Sequence, residues 1–203
     1  ANILILSDRG VDENHLAIPS LLAVSALHQH LVVTKRRTSL AIVLESGEPR
    51  EVHHFATLLG YGASAINPYL AQETIHELIH DDLLDKDYYA AIDDYNSAVL
   101  HGIVKIASAV GPFLLALISG SGDAATVAFN ESVTPHAVEF GLNTINMGTM
   151  AALGGTLGRT ISPIAGATII CAGIAGVDPM EVCKRNALGI VLALIVGMVL
   201  LVF

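Results

Sequence analysis

Charged residues are scarce in the second half of this 203-residue sequence. Between residues 112 and 203 the charged residues are Asp123, Glu131, Glu139, Arg159, Asp178, Glu181, Lys184 and Arg185. A soluble domain of this length would be about a quarter charged. This stretch is therefore not an ordinary soluble domain, and we expect it to lie in a lipid bilayer.

Basic residues and cysteines are also few. The formal net charge is −9, and no stripe of Lys or Arg could neutralise phosphates, which argues against nucleic acid as a partner. The two cysteines, Cys171 and Cys183, show no CxxC spacing and suggest neither a disulfide framework nor a metal site. The chain begins at Ala1 rather than at Met, so we expect a fragment or a processed product.

The first 111 residues alternate between predicted strands and predicted helices. The strands are predicted at 3–6, 39–44 and 63–67, and the helices at 19–30, 51–59, from 68 onward and at 88–110. This βαβαβ order predicts a partial α/β fold with a parallel sheet. Three strands leave edges and one face uncovered, so we expect residues 1–111 to fold poorly alone.

The second half predicts transmembrane helices, some of them broken. Uncharged windows at 140–158, 160–177 and 186–203 are each close to the length of about 20 residues that crosses a bilayer. A shorter apolar run at 112–119 predicts half of a re-entrant hairpin. Lys184 and Arg185 lie in the predicted loop 178–185, which the positive-inside rule places in the cytoplasm. The alternative is a set of buried helices in a large soluble protein.

One short motif suggests a metal site. The sequence HELIH at 76–80 matches HExxH, in which two His on one helix face bind zinc and the Glu acts as general base. The competing interpretation is a chance match in a His-rich segment, since no clear third ligand follows.

Two polar, glycine-rich breaks, at 120–123 and 154–163, interrupt the apolar sequence. Unwound backbone and a half-helix N-terminus at such a break can replace the hydration shell of a carboxylate. Arg159 is the only basic residue between Lys105 and Lys184, and its guanidinium could hold a carboxylate bidentately. Alternatively, Arg159 snorkels to the interface from a helix end. The predicted substrate-binding residues are Ser121, Gly122, Asp123, Thr156, Arg159, Thr160 and Ser162.

Several runs in the first half are distinctive, among them ILILSDR at 3–9, PSLLAVSALH at 19–28, ESGEPREVHHF at 45–55 and INPYLA at 66–71. Through them residues 1–111 resemble the large chain of glutamate synthase, at the end of its central domain. The resemblance implies an enzyme that makes glutamate from glutamine and 2-oxoglutarate with FMN and an iron–sulfur cluster. Its catalytic cysteine, FMN barrel and cluster cysteines are missing here, so we expect no catalytic residue and no cofactor, and enzyme activity stays an open question.

The runs PFLLALISGSGDAA at 112–125, TPH at 134–136 and GGTLGRTISPIAGA at 154–167 characterise the second half. Through them residues 112–203 resemble the DcuC-type anaerobic four-carbon dicarboxylate carriers. The resemblance implies transport of succinate or fumarate by a multi-pass protein of the cell inner membrane, with the N-terminal half in the cytoplasm. Only the last part of such a carrier is present.

The sequence therefore predicts a chimeric or fragmentary chain of mixed fold, an α/β segment followed by transmembrane helices. The first functional hypothesis is a dicarboxylate carrier. The alternative is a glutamate synthase fragment with no complete active site of its own. The missing remainder of either protein is an expected partner. We expect the seam near residues 110–112, where Pro112 should block continuation of the preceding helix.

Overall fold

A parallel sheet with helices packed against it forms the first unit of the chain, which ends at Ile103. The computed structural model describes residues 2–201. The strands are β1 (Ile3–Ser7), β2 (Ala41–Glu45) and β3 (Ala65–Asn67), and the helices that follow them are α1 (Ser20–Val33), α2 (Val52–Gly60) and α3 (Tyr69–His80). All pairs are parallel in the order β1-β2-β3, so the predicted α/β arrangement is confirmed.

The alternation of β2 explains where the core of this unit lies. Ile42 and Leu44 are buried, and Leu44 clusters with Val24 of α1 and Leu58 of α2. Successive side chains of a strand point to opposite faces. The same alternation leaves Ile5 of β1 67% exposed, so the helices cover one face of the sheet and leave apolar side chains of the edge strand open.

Two carboxylates hold the carboxyl ends of the strands together, and the first is Asp8. It accepts hydrogen bonds from the Ser46 hydroxyl at 2.6 Å and from the Gly47 amide at 3.1 Å. Burial on its own would raise the pKa of Asp8, but hydrogen bonds from Ser46, Tyr69 and Gly47 together outweigh burial and lower the pKa below its ordinary value of 3.8.

The second carboxylate is Glu45, at the end of β2. It accepts a hydrogen bond from the Ser7 hydroxyl at 2.7 Å and pairs with the Arg9 guanidinium at 2.9 Å. The Ser7 hydrogen bond and then the Arg9 hydrogen bond hold the pKa of Glu45 below its ordinary value of 4.5. Both carboxylates are thus stabilised in the charged form by the folded structure.

The second unit, from Val104 onward, is helical. Its helices are α4 (Tyr88–Ser119), whose first part belongs to the first unit, α5 (Gly122–Ser132), α6 (Thr144–Thr160), α7 (Gly166–Ala175) and α8 (Pro179–Leu201), with a 3₁₀ segment at Thr134–Phe140. Ala109, Phe113, Met150, Ile161 and Leu194 form its main buried cluster.

Two predictions about Pro112 are wrong. The helix predicted to end at residue 110 and the hairpin half predicted at 112–119 are one continuous helix, α4, with Pro112 inside it. Pro112 cannot donate to the carbonyl of Ser108, which costs about 3 kcal/mol in an ordinary helix interior. Apolar helix formers follow the proline, and Phe113 and Ala116 are buried, so packing offsets that cost.

The predicted membrane windows are corrected as well. Within residues 2–201, two helices are long and apolar enough to cross a membrane, α4 and the Pro179–Leu200 part of α8. The window at 140–158 falls on a 3₁₀ segment and on the 17 residues of α6, and the window at 160–177 holds the 10-residue helix α7. Ten helical residues rise about 15 Å, half of a bilayer core. The predicted loop 178–185 is mostly the beginning of α8.

Glycines let α6 approach its neighbours closely. A Cβ added to Gly154 would overlap the carbonyl oxygen of Ala109, and one added to Gly158 would overlap the carbonyl oxygen of Phe113. Gly154 and Gly158 lie one helical turn apart, so together they form a flat strip against which the backbone of α4 packs. Small residues four apart are the usual device for close helix contact in membranes.

Replacing Gly158 by alanine should destabilise the second unit, because the methyl group meets rigid backbone rather than a movable side chain. We expect the free energy of unfolding in detergent to fall by about 1–3 kcal/mol. Gly173→Ala is the matched control, since nothing lies within 4 Å of a Cβ there. That control should be neutral or stabilising. Equal stability of the two variants would contradict the close-packing interpretation.

The stability of the first unit should fall in acid. Asp8 and Glu45 have lowered pKa values in the fold, so their contribution is complete above the ordinary values of 3.8 and 4.5 and is lost as the pH falls through the folded values. Urea unfolding of the full chain can be followed by amide exchange in β1 and β2. The urea concentration at the unfolding midpoint should fall as the pH is lowered below about 4.5. Glu45→Gln should reduce this drop, and Glu77→Gln, on α3 outside the network, should not.

Candidate carboxylate site

The first predicted glycine-rich break does separate α4 from α5, but the prediction of unwound backbone at the second is mostly wrong, because residues 154–160 are continuous helix within α6. The two glycine-rich segments, more than thirty residues apart in sequence, nevertheless meet in the structure. A Cβ on Gly122, at the start of α5, would lie 2.7 Å from the carbonyl oxygen of Gly155 in α6. Gly120 joins α4 to α5 at φ +73°, and a Cβ there would lie 3.2 Å from the carbonyl oxygen of Ile164. A side chain at either position would push apart the backbones that meet there.

Beside the second glycine-rich segment, α6, α7 and α8 line an open pocket of about 330 Å³. Its lining residues are Thr156, Arg159, Thr160, Ala167, Thr168, Cys171, Val182 and Asn186. Arg159 is the one charged residue in this lining. The pocket thus combines a single cation with hydroxyl, amide and thiol groups and with two apolar side chains, a combination suited to one carboxylate on a short carbon chain.

Three of the predicted substrate-binding residues line this pocket together. Thr156, Arg159 and Thr160 occupy positions i, i+3 and i+4 of α6 and therefore share one helix face. Gly154 and Gly158 direct another face toward α4. Arg159 lies in the last turn, is exposed, and makes no ion pair with any residue in the described range 2–201. Its guanidinium is available to an anion in the pocket.

The remaining predicted residues lie elsewhere in the second unit. Ser121 caps α5, its hydroxyl accepting from the Ala124 amide at 3.3 Å, and Asp123 is exposed in the first turn of that helix. Gly122 is buried against α6. Ser162 is fully buried between α6 and α7, and its hydroxyl has no hydrogen-bond partner among the residues described. None of these four lines the pocket. Their role in binding stays a prediction.

Thr168, Cys171 and Asn186 were missed by the sequence predictions although they line the pocket. Thr168 is in the first turn of α7 and Asn186 is in α8. The available signal was a polar residue within an apolar window. That signal is weak, because nothing in the sequence shows that the starts of α7 and α8 lie beside the end of α6.

The HExxH residues are arranged differently from a metal site. The ring of His76 in α3 packs edge-on against the ring of Tyr88, with 5.5 Å between the ring centres. The Nδ1 atom of His80 lies 3.2 Å from a carboxylate oxygen of Asp81. In the part of the chain that the structure describes, no three His, Cys, Asp or Glu side chains are grouped to hold a metal ion. The structure lends the zinc interpretation no support.

The residues present also do not fit the cofactors of glutamate synthase. An iron–sulfur cluster is held by four cysteines as a rule. The cysteines of this chain are Cys171, exposed on α7, and Cys183, buried on α8. The sheet formed by β1, β2 and β3 is open, whereas the resemblance places FMN in a barrel.

Comparison with known families gives two matches that overlap. The glutamate synthase central domain matches residues 1–121, and the C4-dicarboxylate anaerobic carrier family matches residues 82–203. Each match covers more than half of the chain. The shared stretch, 82–121, includes all of α4.

Individual relatives show the same division. The large chain of the NADPH glutamate synthase of Bacillus subtilis is 52% identical over 110 residues, which are 54% of this chain and 7% of the relative. The NADH glutamate synthase of Saccharomyces cerevisiae is 40% identical over 127 residues, 59% of this chain and 6% of the relative. An uncharacterized transporter of Haemophilus influenzae is 56% identical over 92 residues, 45% of this chain and 33% of the relative. The chain therefore spans a small part of each relative's length, and it belongs to two families, the glutamate synthase central domain over residues 1–121 and the C4-dicarboxylate anaerobic carriers over residues 82–203.

Proposed function

We propose that the second unit is part of a membrane carrier for four-carbon dicarboxylates such as succinate and fumarate, and that it binds one substrate carboxylate. The observation that carries this proposal is the pocket on α6, α7 and α8, with Arg159 as its one charged lining residue. A guanidinium matches a carboxylate with two parallel hydrogen bonds. The carrier family match over residues 82–203 supports the same function.

A membrane location follows from the surface of the second unit as well as from the family. Along α8 large apolar side chains such as Leu188 and Leu200 are about three-quarters exposed. Such a surface is unfavourable in water and suits lipid or other helices of a carrier. We propose a multi-pass arrangement in the inner membrane. By the positive-inside rule we expect Lys184 and Arg185, near the start of α8, to lie on the cytoplasmic side.

The chain spans a third of its transporter relative, so the substrate proposal is tested by measuring binding rather than transport. Cys171 lines the pocket and is exposed, whereas Cys183 is buried. In vesicles containing the full chain, succinate should slow the labelling of Cys171 by N-ethylmaleimide. Arg159→Ala should raise the succinate concentration for half-protection at least about tenfold, since a charge-assisted hydrogen-bonded pair is lost.

Two further variants make this test specific. Arg185→Ala is the matched control, because Arg185 pairs with Glu181 at 3.1 Å and does not line the pocket. Arg159→Lys should bind with intermediate affinity, since lysine keeps the charge and loses the bidentate geometry. The proposal fails if succinate does not protect the unmodified chain, or if Arg159→Ala is protected as well as the unmodified chain.

The second candidate function is that of a glutamate synthase fragment, favoured by the match of residues 1–121. In this proposal the first unit acts as part of a larger enzyme and holds no complete active site. We expect the purified full chain to show no flavin absorption band, because an open sheet lacks the closed ring of loops that binds phosphate in a barrel. Stoichiometric FMN in the purified chain would overturn this expectation.

A further inference from the structure

The hydroxyl groups in the carboxylate pocket differ in whether they are free to bind an anion. Thr156 donates its hydroxyl proton to the carbonyl of Ala152 at 2.8 Å, and Thr160 donates to the carbonyl of Thr156 at 2.8 Å. A carboxylate only accepts hydrogen bonds. The two threonines on α6 would therefore have to break existing bonds before they could bind a substrate carboxylate.

Thr168 is the exception among the threonines of the pocket. It lines the pocket, is only 6% exposed, and its hydroxyl makes no hydrogen bond to any residue in the described part of the chain. Threonines inside helices usually donate to the carbonyl four residues back, as Thr149 does in α6 at 2.8 Å. Unlike the Ser162 hydroxyl, the Thr168 hydroxyl oxygen is not sealed from the surface, so its proton can be donated to a ligand that enters the pocket.

The backbone around Thr168 favours an anion at the same place. Thr168 and Ala167 lie in the first turn of α7, where the N–H groups have no acceptor within the helix. Ala165 at the N-cap has no side chain that could accept from them. The N-terminus of a helix carries a partial positive charge, which attracts carboxylate. Ala167 and Thr168 bring that end of α7 to the wall of the pocket.

We propose that Thr168 and the uncapped first turn of α7 bind the same substrate carboxylate as Arg159, with the Asn186 amide as a further donor. This inference rests on the proposed function and adds the residues that select the ligand. The pocket has one cation, so it takes one carboxylate end, and Ala167 and Val182 flank it with apolar surface for the adjoining carbons. The ligand class is a short aliphatic carboxylate, and butyrate should enter the pocket as succinate does.

Thr168→Val tests the inference, because valine has nearly the shape of threonine without the hydroxyl. In the Cys171 protection assay on the full chain in vesicles, the concentration for half-protection should rise about tenfold for both succinate and butyrate, the factor expected for one hydrogen bond to a charged group. Thr168→Ser restores the hydroxyl and should bind within about threefold of the unmodified chain. Thr149→Val is the matched control and should leave protection unchanged, since its hydroxyl bonds to backbone outside the pocket.

The outcomes separate this inference from the function on which it rests. If Arg159→Ala weakens protection and Thr168→Val does not, the role of Thr168 is overturned and the carboxylate pocket stands. If Thr168→Ser is as weak as Thr168→Val, the loss comes from packing and the inference also fails. Protection by succinate without protection by butyrate would overturn the one-carboxylate assignment. If neither Arg159→Ala nor Thr168→Val changes protection, the proposed function itself fails.

Discussion

The second unit depends on the close approach of α6 to α4 and α5, which glycine makes possible. Gly154 and Gly158 meet the carbonyl oxygens of Ala109 and Phe113, while Gly155 meets the backbone of Gly122. These contacts determine how α6 is rotated about its axis. Once the glycine faces are occupied by α4 and α5, the face with Thr156, Arg159 and Thr160 is left for α7 and α8. The position of the one charged residue in the pocket is therefore a consequence of backbone packing.

Packing in the second unit also explains how α4 accommodates a proline. Pro112 removes one hydrogen bond, yet α4 continues to Ser119, because the buried residues Ala109 and Phe113 are part of the main apolar cluster. The family matches overlap over residues 82–121, which includes all of α4. Most of the stretch that both families match is thus one continuous helix. A helix is a suitable place for a seam between two families, since its hydrogen bonds are local and do not depend on which protein supplied each side.

The chemical character of the pocket depends on which of its polar groups already have hydrogen-bond partners. Two of its threonines satisfy their hydroxyl groups within α6, and the first turn of α7 is left with donors that have no acceptor. In the first unit the opposite holds, because Asp8 and Glu45 already accept several hydrogen bonds each at the carboxyl edge of the sheet. A saturated polar network stabilises a fold, whereas an unsaturated one has capacity for a ligand.

The sequence by itself determined the α/β order of the first unit and the apolar character of the second, and it pointed to Arg159 as a candidate ligand for a carboxylate. These follow from local patterns, such as the alternation in β2 and the lone basic residue in a long apolar stretch. The tertiary structure decided that Pro112 lies within a helix, that the window at 160–177 holds a helix of only ten residues, and that Thr168 and Asn186 stand beside Arg159. A local pattern carries no information on which helices touch. That depends on where glycines allow two backbones to meet, and on which hydroxyl groups the meeting leaves without a partner.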